Sequence, residues 1–570
     1  MTKFNQKTPG TSTRTPKASA APTSFITTKS TPPVYSPATE VTGNGAPGWA
    51  RDTQSELFLL AVTNMVSEDT FYEGASGRDR RFRELVRKVA TAGPESGQWM
   101  ARFIPWLRSE ANMRTASIVA AVEAADAQRK ASPGAPTLAR EFLKGALQRP
   151  DEPGEALAYA KSRGIKVSGG IQRGIADAAQ RMFTERNLLK YDGQSKDFRF
   201  ADVLELTHPS PKADWQGDLF KYAIDRRHNR DGLTIPASLA MLRVRSGLEG
   251  RPVEMRRQLF DGTITPPFTI DTPDGSFRRV DSLAEVLEAG GMTWESLSGW
   301  LQGPMDAKAW EAIIPSMGYM ALLRNLRNFD QAGVSDKVAA TIAAKLADAD
   351  EVAKSRQFPM RFLSAYKAAP SLRWSWALEQ ALGHSLSNVP VLKGRTLILV
   401  DRSGSMFDTV SQRTGLNRAD SAAVFGSALA QRSESADLVQ YGTSWSAVKV
   451  QKGESLLKVI EKFGSLGGTN TAQTAQATFK NHDRVVVVTD EQANAYGYGY
   501  GYGASSRSTL NDVIPSSVPL YTWNLAGYRV GNTPAGELNR HTFGGLTDTA
   551  FKMIGLLERG QSTGWPWDEK

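Results

Sequence analysis

Arg395–Met406 reads RTLILVDRSGSM, and its centre decides the fold of the segment around it. Leu397, Ile398, Leu399 and Val400 make an apolar run without alternation, the pattern of a strand buried on both faces of a parallel sheet. The run stops at Asp401, and Arg402-Ser403-Gly404-Ser405 follow at once. A carboxylate and two hydroxyls therefore fall on the loop at a strand's carboxyl end, where open α/β sheets bind ligands. Such oxygen donors suit a hard divalent cation like Mg²⁺, which keeps part of its water shell.

Two later stretches carry matching chemistry. Gly467-Gly468-Thr469-Asn470-Thr471 is a glycine-rich loop able to bring a threonine hydroxyl close to an ion, and Arg484–Asp490 (RVVVVTD) is a second apolar strand ending in a carboxylate. The D-x-S-x-S spacing resembles the metal-ion-dependent adhesion site of von Willebrand factor A domains. That resemblance implies Asp401, Ser403, Ser405, Thr469 and Asp490 as the metal-binding set, for one divalent cation, Mg²⁺. The segment departs from the family's pattern in three places. Arg402 puts a cation inside the motif and is expected to point away from it. Asn470 stands where the family often has Asp, and Glu491-Gln492 replaces its usual Asn-Glu.

The rest of the chain divides by pattern into three segments. Residues 1–50 are rich in Pro, Thr, Ser, Ala and Gly and carry a net charge of +4. They read as a disordered basic arm, either a solvated leader or a tail touching nucleic acid. From 51 to 390 the periodicity is helical, as in Ser55–Val66, Arg80–Ala92, Ile171–Phe183, Trp215–Arg226 and Met317–Asn328. Helix pairs without strand signals predict an α-solenoid of HEAT-like type. One exception is Phe268–Val280, where Pro273-Asp274-Gly275 between β-prone runs predicts a hairpin. From 391 to 570 strands and helices alternate. The strands are predicted at Thr396–Val400, Ala436–Tyr441, Ala447–Val450, Arg484–Thr489 and Leu520–Asn524, with helices at Arg418–Arg432, Glu454–Phe463, Ala472–Phe479 and Asp548–Glu558. This order predicts a Rossmann-like, mostly parallel sheet covered on both faces. Tyr496–Gly503 (YGYGYGYG) reads as a plain loop, or as a lid or base-stacking surface.

Composition narrows the function classes. Zero cysteines exclude disulfides, thiolate metal sites and a cysteine nucleophile, which suits the cytoplasm. No run of about eighteen apolar residues predicts a membrane span, and the amino terminus lacks the apolar core of a signal peptide. A net charge of +10 favours a polyanionic partner, although residues 391–570 hold only +2 of it. No Ser-His-Asp order, phosphate-binding loop or dinucleotide fingerprint stands out, and five scattered histidines argue against an imidazole metal centre. The expectation is a protein that is not an enzyme.

Helical repeats followed by such an A domain resemble the TROVE-domain proteins, the Ro 60 kDa family and its bacterial-type orthologues. Ser55–Tyr72 is similar to the family's opening helix and Thr-aromatic-aromatic turn. Gly174-Ile175-Ala176-Asp177 and Leu204-Glu205-Leu206-Thr207-His208 resemble its G/A-I-A-D and L-x-x-L-S/T-H segments, and Met320–Leu326 (MALLRNL) resembles its M-A-L-L-R-N-L helix. The resemblance implies a monomeric ring of HEAT-like repeats joined by the A domain. Such a ring binds small noncoding Y-like RNA on its outer surface and single-stranded 3′ ends of misfolded RNA in its hole, in RNA quality control. It also implies tethering through the RNA to an exoribonuclease, polynucleotide phosphorylase, and no catalysis by the ring itself. Arg173 and His208 match the family's RNA-contacting positions, and Arg181 and Lys212 are nearby basics that extend the RNA-binding surface. Arg324 and Asn325 are expected to join repeats. The competing reading is a metal-dependent adhesion scaffold in which the A domain captures a partner's carboxylate.

Overall fold

The computed structural model describes residues 37–63, 70, 72–387, 389–411, 416–451, 453–493, 508–534, 536–558 and 565–568. Most of the expected arm (1–36) and the Tyr-Gly repeat lie outside the described residues. The chain forms two compact units. One holds Ser117–Ser355 and Ala365–Leu378; the other holds the residues up to Ala116, Arg356–Ser364 and everything from Glu379.

The strands are β1 (Glu40–Val41), β2 (Pro47–Ala50), β3 (Phe268–Asp271), β4 (Phe277–Val280), β5 (Leu392–Asp401), β6 (Thr409–Ser411) and β7 (Leu416–Asn417). They continue with β8 (Ser433–Tyr441), β9 (Trp445–Ala447), β10 (Arg484–Thr489), β11 (Leu520–Asn524), β12 (Val530–Gly531) and β13 (Arg540–Gly544). The main sheet has the order β13-β11-β10-β5-β8-β9. Its pairs are parallel except the edge strand β9, which runs antiparallel to β8. The central strands β5 and β10 align Leu397 with Val485 and Val400 with Val488. Leu397–Val400 and Val485–Val488 have at most 1% of their surface exposed, which accounts for runs that never alternate. The helix Arg418–Arg432 lies so close to β5 that a Cβ on Gly426 would stand 2.3 Å from Val400 Cγ2. From β5 the chain proceeds to β8 on one side, and from β10 to β11 on the other. The sheet's topological switch therefore falls at the carboxyl ends of β5 and β10, the position at which open α/β sheets bind ligands.

Two expectations about the amino-terminal part are corrected. Residues 37–50 are not a loose arm, since β1 and β2 pair as a hairpin and β2 pairs with β12. The helices Thr53–Thr63, Ala75–Thr91 and Pro94–Ser109 belong with the α/β unit rather than with the later helices. Polar groups tie them there: Arg78 Nη2 donates to the Ala526 carbonyl at 2.6 Å and Arg81 Nη2 to that of Gly527 at 3.0 Å. Aromatic packing does the rest. Trp565 and Trp567 stack 5.4 Å apart; Trp565 meets Trp99 at 4.9 Å and Phe58 at 5.7 Å, and Trp567 meets Trp106 at 5.4 Å. Each such ring buries some 150–250 Å², so this cluster dominates that corner of the core.

The second unit is helical and carries the β3–β4 hairpin where it was expected. Its helix pairs meet through large rings, with Phe183 stacked on Phe200 at 3.7 Å and Trp310 edge-on to Phe329 at 5.0 Å. Within Tyr319–Ala332, Asn325 is buried and donates to the Ala321 carbonyl of its own helix. Arg324, expected to join repeats, faces solvent instead. Among the described residues no helix is long and apolar enough to cross a membrane.

The tie between β2 and the sheet includes a fully buried ion pair, Arg51–Glu491, whose side chains are 2% and 0% exposed. Removing one partner strands the other charge out of water. Arg51→Met is therefore expected to lower stability by about 3–5 kcal/mol, read as a shift of the urea unfolding midpoint.

Candidate functional site

Asp401 ends β5 and Asp490 follows β10 directly, so parallel pairing alone sets two carboxylates side by side at the switch point. Main-chain bonds then stitch three more loops to this edge. Arg402 N–H donates to the Tyr441 carbonyl at 2.7 Å, Leu466 N–H to that of Arg402 at 2.9 Å, and Gly404 N–H to that of Gly467 at 2.6 Å. Ser403 and Gly467 form a parallel bridge. Asn470 N–H donates to the Gly442 carbonyl at 2.9 Å, and its side-chain amide to that of Thr443 at 2.9 Å. Thr469 is thereby carried on a loop bonded to the Asp401–Ser405 loop. All five implied donors, Asp401, Ser403, Ser405, Thr469 and Asp490, are 0–4% exposed.

Asp401 Oδ1 accepts from the Ser403 N–H at 2.9 Å, and Oδ2 from the Thr489 hydroxyl at 2.6 Å and the Tyr441 hydroxyl at 3.4 Å. The Ser403 and Ser405 hydroxyls lie 3.4 Å apart. Asp490 Oδ1 accepts from the Gln492 N–H at 3.1 Å, while Oδ2 is buried with no hydrogen-bond partner among the described residues. Burial first, and the charge of Asp490 second, push the Asp401 carboxyl up to about 7. Burial likewise raises Asp490, against hydrogen bonds from Ser405 and Gln492. Two adjacent buried carboxylates, one with an orphaned oxygen, and three hydroxyls are a donor set that fits a hard divalent cation.

The departures from the family pattern leave this donor set intact. Arg402 turns away from the carboxylates: its guanidinium donates to the Gly464 and Ala419 carbonyls, both at 2.6 Å, and sits 4.8 Å from the centre of the Phe407 ring. Glu491 is neutralised by Arg51 and also accepts from the Asn524 amide.

The second group of implied residues lies in the helical unit. Arg173 is exposed on the helix Gly169–Met182, and His208 caps the helix Phe200–Thr207 in the left-handed region at φ 49°. Three glutamines fix the turn after His208. Gln172 donates to the Leu206 carbonyl at 2.9 Å, Gln180 to that of Ser210 at 2.7 Å, and Gln216 to that of Gln180 at 2.8 Å while also accepting from the Lys212 N–H at 2.9 Å. Arg173, His208 and the Lys212 ammonium make no side-chain hydrogen bond or ion pair among the described residues. Arg181 differs, because its guanidinium donates to the Leu147 carbonyl and so holds one helix end to its neighbour. Arg226 and Arg227, nearby basics in the sequence, are paired with Asp192 and Asp202.

Sequence reading missed Trp215, which is 38% exposed beside Lys212, and Leu206, which is 49% exposed beside His208. Trp215 precedes the buried Leu219 and Tyr222 at helical spacing and so reads as core. The usable signal was its place at the very start of the helix, after Pro209 and Pro211.

The metal reading has a pH signature. An unfolded aspartate has a pKa near 3.8, and Asp401 holds its proton up to about 7. Without a cation its contribution to stability is present below the unfolded value and lost as pH rises through the folded one. A cation needs both carboxylates ionised. The Mg²⁺-induced rise in melting temperature should therefore be larger at pH 8 than at pH 6. It should be absent from Asp401→Asn at both, in thermal melts with and without Mg²⁺.

The TROVE domain family model matches residues 291–394. Among solved structures, the Ro (RSR) protein of Deinococcus radiodurans matches with a TM-score of 0.56 at 18% identity, over 89% of this chain and 100% of that one. The match supports the expected fold of this chain, helical repeats followed by a von Willebrand factor A-like sheet. Residues 291–394 thus match the TROVE domain model, and the chain shares the fold of the bacterial Ro protein.

Proposed function

We propose that the chain binds RNA through the face built by the helix Gly169–Met182 and the turn after Phe200–Thr207. The observation that carries this reading is a set of cations left without partners where neighbouring acids are already matched. Asp177 pairs with Arg140, Asp202 with Arg227, Asp225 with Arg230, and Glu205 with His228. Arg173 and Lys212 remain to meet phosphate, and His208 to stack on a base or donate to phosphate. Trp215 and Leu206 add apolar surface beside them, as a stacking platform for unpaired bases requires. The acid of the turn, Asp214, opens the helix Asp214–Arg227, where the positive end of the helix dipole offsets it.

The finer reading follows the resemblance. The RNA is a small noncoding Y-like RNA on an outer face, with single-stranded 3′ ends of misfolded RNA taken into the hole of a ring. The setting is RNA quality control in the cytoplasm, with an exoribonuclease recruited through the RNA. In this proposal the chain performs no catalysis, and its cation at Asp401 and Asp490 supports the fold.

Arg173→Ala with His208→Ala should weaken binding of a short structured RNA by about tenfold or more, measured by fluorescence anisotropy, with the melting temperature nearly unchanged. Unaltered affinity in the folded double variant removes the assignment. Lys212→Ala should lower the slope of log affinity against log salt by about one. Trp215→Ala should cost about 1–3 kcal/mol of binding to a single-stranded oligonucleotide and little to a duplex, the comparison that identifies stacking.

A further inference from the structure

The von Willebrand factor A site is known as an adhesion site because one position on the cation is left for a partner's carboxylate. In this chain the segment just after Asp490 and Glu491 is covered by the chain itself. The turn Thr42–Ala46 between β1 and β2 is closed by Thr42 N–H donating to the Ala46 carbonyl at 2.9 Å. It docks on the two residues that follow Glu491. Gly43 N–H donates to Gln492 Oε1, the Asn44 amide to the Gln492 carbonyl at 2.8 Å, and the Thr42 hydroxyl to the Ala493 carbonyl at 2.9 Å. Tyr72 is wedged against this turn. A Cβ on Gly43 would stand 2.9 Å from Tyr72 Cδ1 and 2.8 Å from Gln492 Oε1. The Tyr72 ring also meets Tyr528 edge-on at 5.5 Å. Burial and then the charge of Asp490 push the Tyr72 hydroxyl up to about 12, against hydrogen bonds with Asn44 and Ser405. Tyr72 is thus held between the Thr42–Ala46 turn and Tyr528, in the field of Asp490.

We propose that the cation site is a clasp internal to the chain: Tyr72 and the Thr42–Ala46 turn close it over Ser405 and Asp490, so that the cation fastens the amino-terminal hairpin to the sheet instead of receiving a partner's carboxylate. The proposal rests on the metal reading of Asp401, Ser403, Ser405, Thr469 and Asp490. A small hard cation that keeps some of its water suits such a closed position, because a phenol hydroxyl and an amide can hold a bound water without themselves carrying charge. The ion pair Arg51–Glu491 and the β2–β12 pairing hold the hairpin in place from the other side, so the turn cannot swing away without breaking them.

The test combines Mg²⁺ titration calorimetry with hydrogen exchange on the full chain. Saturating Mg²⁺ should slow exchange of the Thr42–Ala50 amides by about tenfold or more, and Asp401→Asn should abolish the effect. Acetate, a minimal carboxylate probe, should leave the Mg²⁺ affinity of the native chain unchanged. Gly43→Val pushes the turn off Tyr72 and Gln492, and in that variant acetate should raise the Mg²⁺ affinity. Tyr72→Phe, which keeps the ring packing but removes the hydroxyl, should weaken Mg²⁺ binding and reduce the protection of the turn. Mg²⁺ binding with no change in exchange at Thr42–Ala50, or with acetate raising affinity in the native chain, overturns the clasp while leaving the cation in place. Absence of any Mg²⁺ binding overturns the clasp by removing the reading beneath it, and the two failures are told apart by the calorimetry.

Discussion

Two carboxylates buried side by side, Asp401 and Asp490, set the terms for everything at the carboxyl edge of the sheet. Adjacent parallel strands in a matched register place them there, and a low-dielectric interior makes their mutual repulsion costly. The surrounding structure answers that cost locally. Thr489, Ser403, Tyr441 and Gln492 supply donors, and a buried Arg418 lowers Asp490. A third acid, Glu491, follows in the left-handed region at φ 62° and is answered by Arg51 from the opposite end of the sequence. The amino-terminal hairpin and helices therefore belong to this unit because the edge needs their charge as well as their apolar surface.

The same accounting separates the two chemistries of the molecule. The buried groups at this edge are mainly acidic, and most of the chain's basic excess lies outside residues 391–570. In the helical unit the pairing of acids and bases is close to complete around the helix Phe200–Thr207, and what is left over is positive, exposed and next to an uncovered indole.

Much of this could be read from the residues. Arg484–Thr489, Leu520–Asn524 and the helix Arg418–Arg432 appear with the bounds that unbroken apolar runs and helical periodicity indicate, because burial on both faces leaves little ambiguity. Elements whose side chains contradict their burial were hidden. Strand β13 begins with Arg540, fully buried because its guanidinium satisfies the carbonyls of Ile514 and Val518 and the Asn511 side chain. The β1–β2 hairpin has a strand of two residues and another reading Pro-Gly-Trp-Ala, composition that looks like linker until β12 supplies its partner. Of the candidate site, the resemblance implied the five oxygen donors, whereas the docking of Gly43 on Gln492 beside them is a contact across more than four hundred residues. Arg181 looked like Arg173 in sequence and differs only because the Leu147 carbonyl stands within its reach.

The aromatic seam that joins Trp565 and Trp567 to Phe58, Trp99 and Trp106 has a temporal consequence. A nascent chain emerges from its amino end, so the helices Thr53–Thr63 and Pro94–Ser109 are made long before the indoles that cover them. Contacts of such extreme sequence separation are slow to form, and exposed apolar surface invites misassembly meanwhile. The intervening helical unit can complete its short-range contacts first, while the sheet-bearing unit waits for Trp565 and Trp567. Translation thus imposes an order on this molecule in which Thr53–Thr63 and Pro94–Ser109, made early, are buried late.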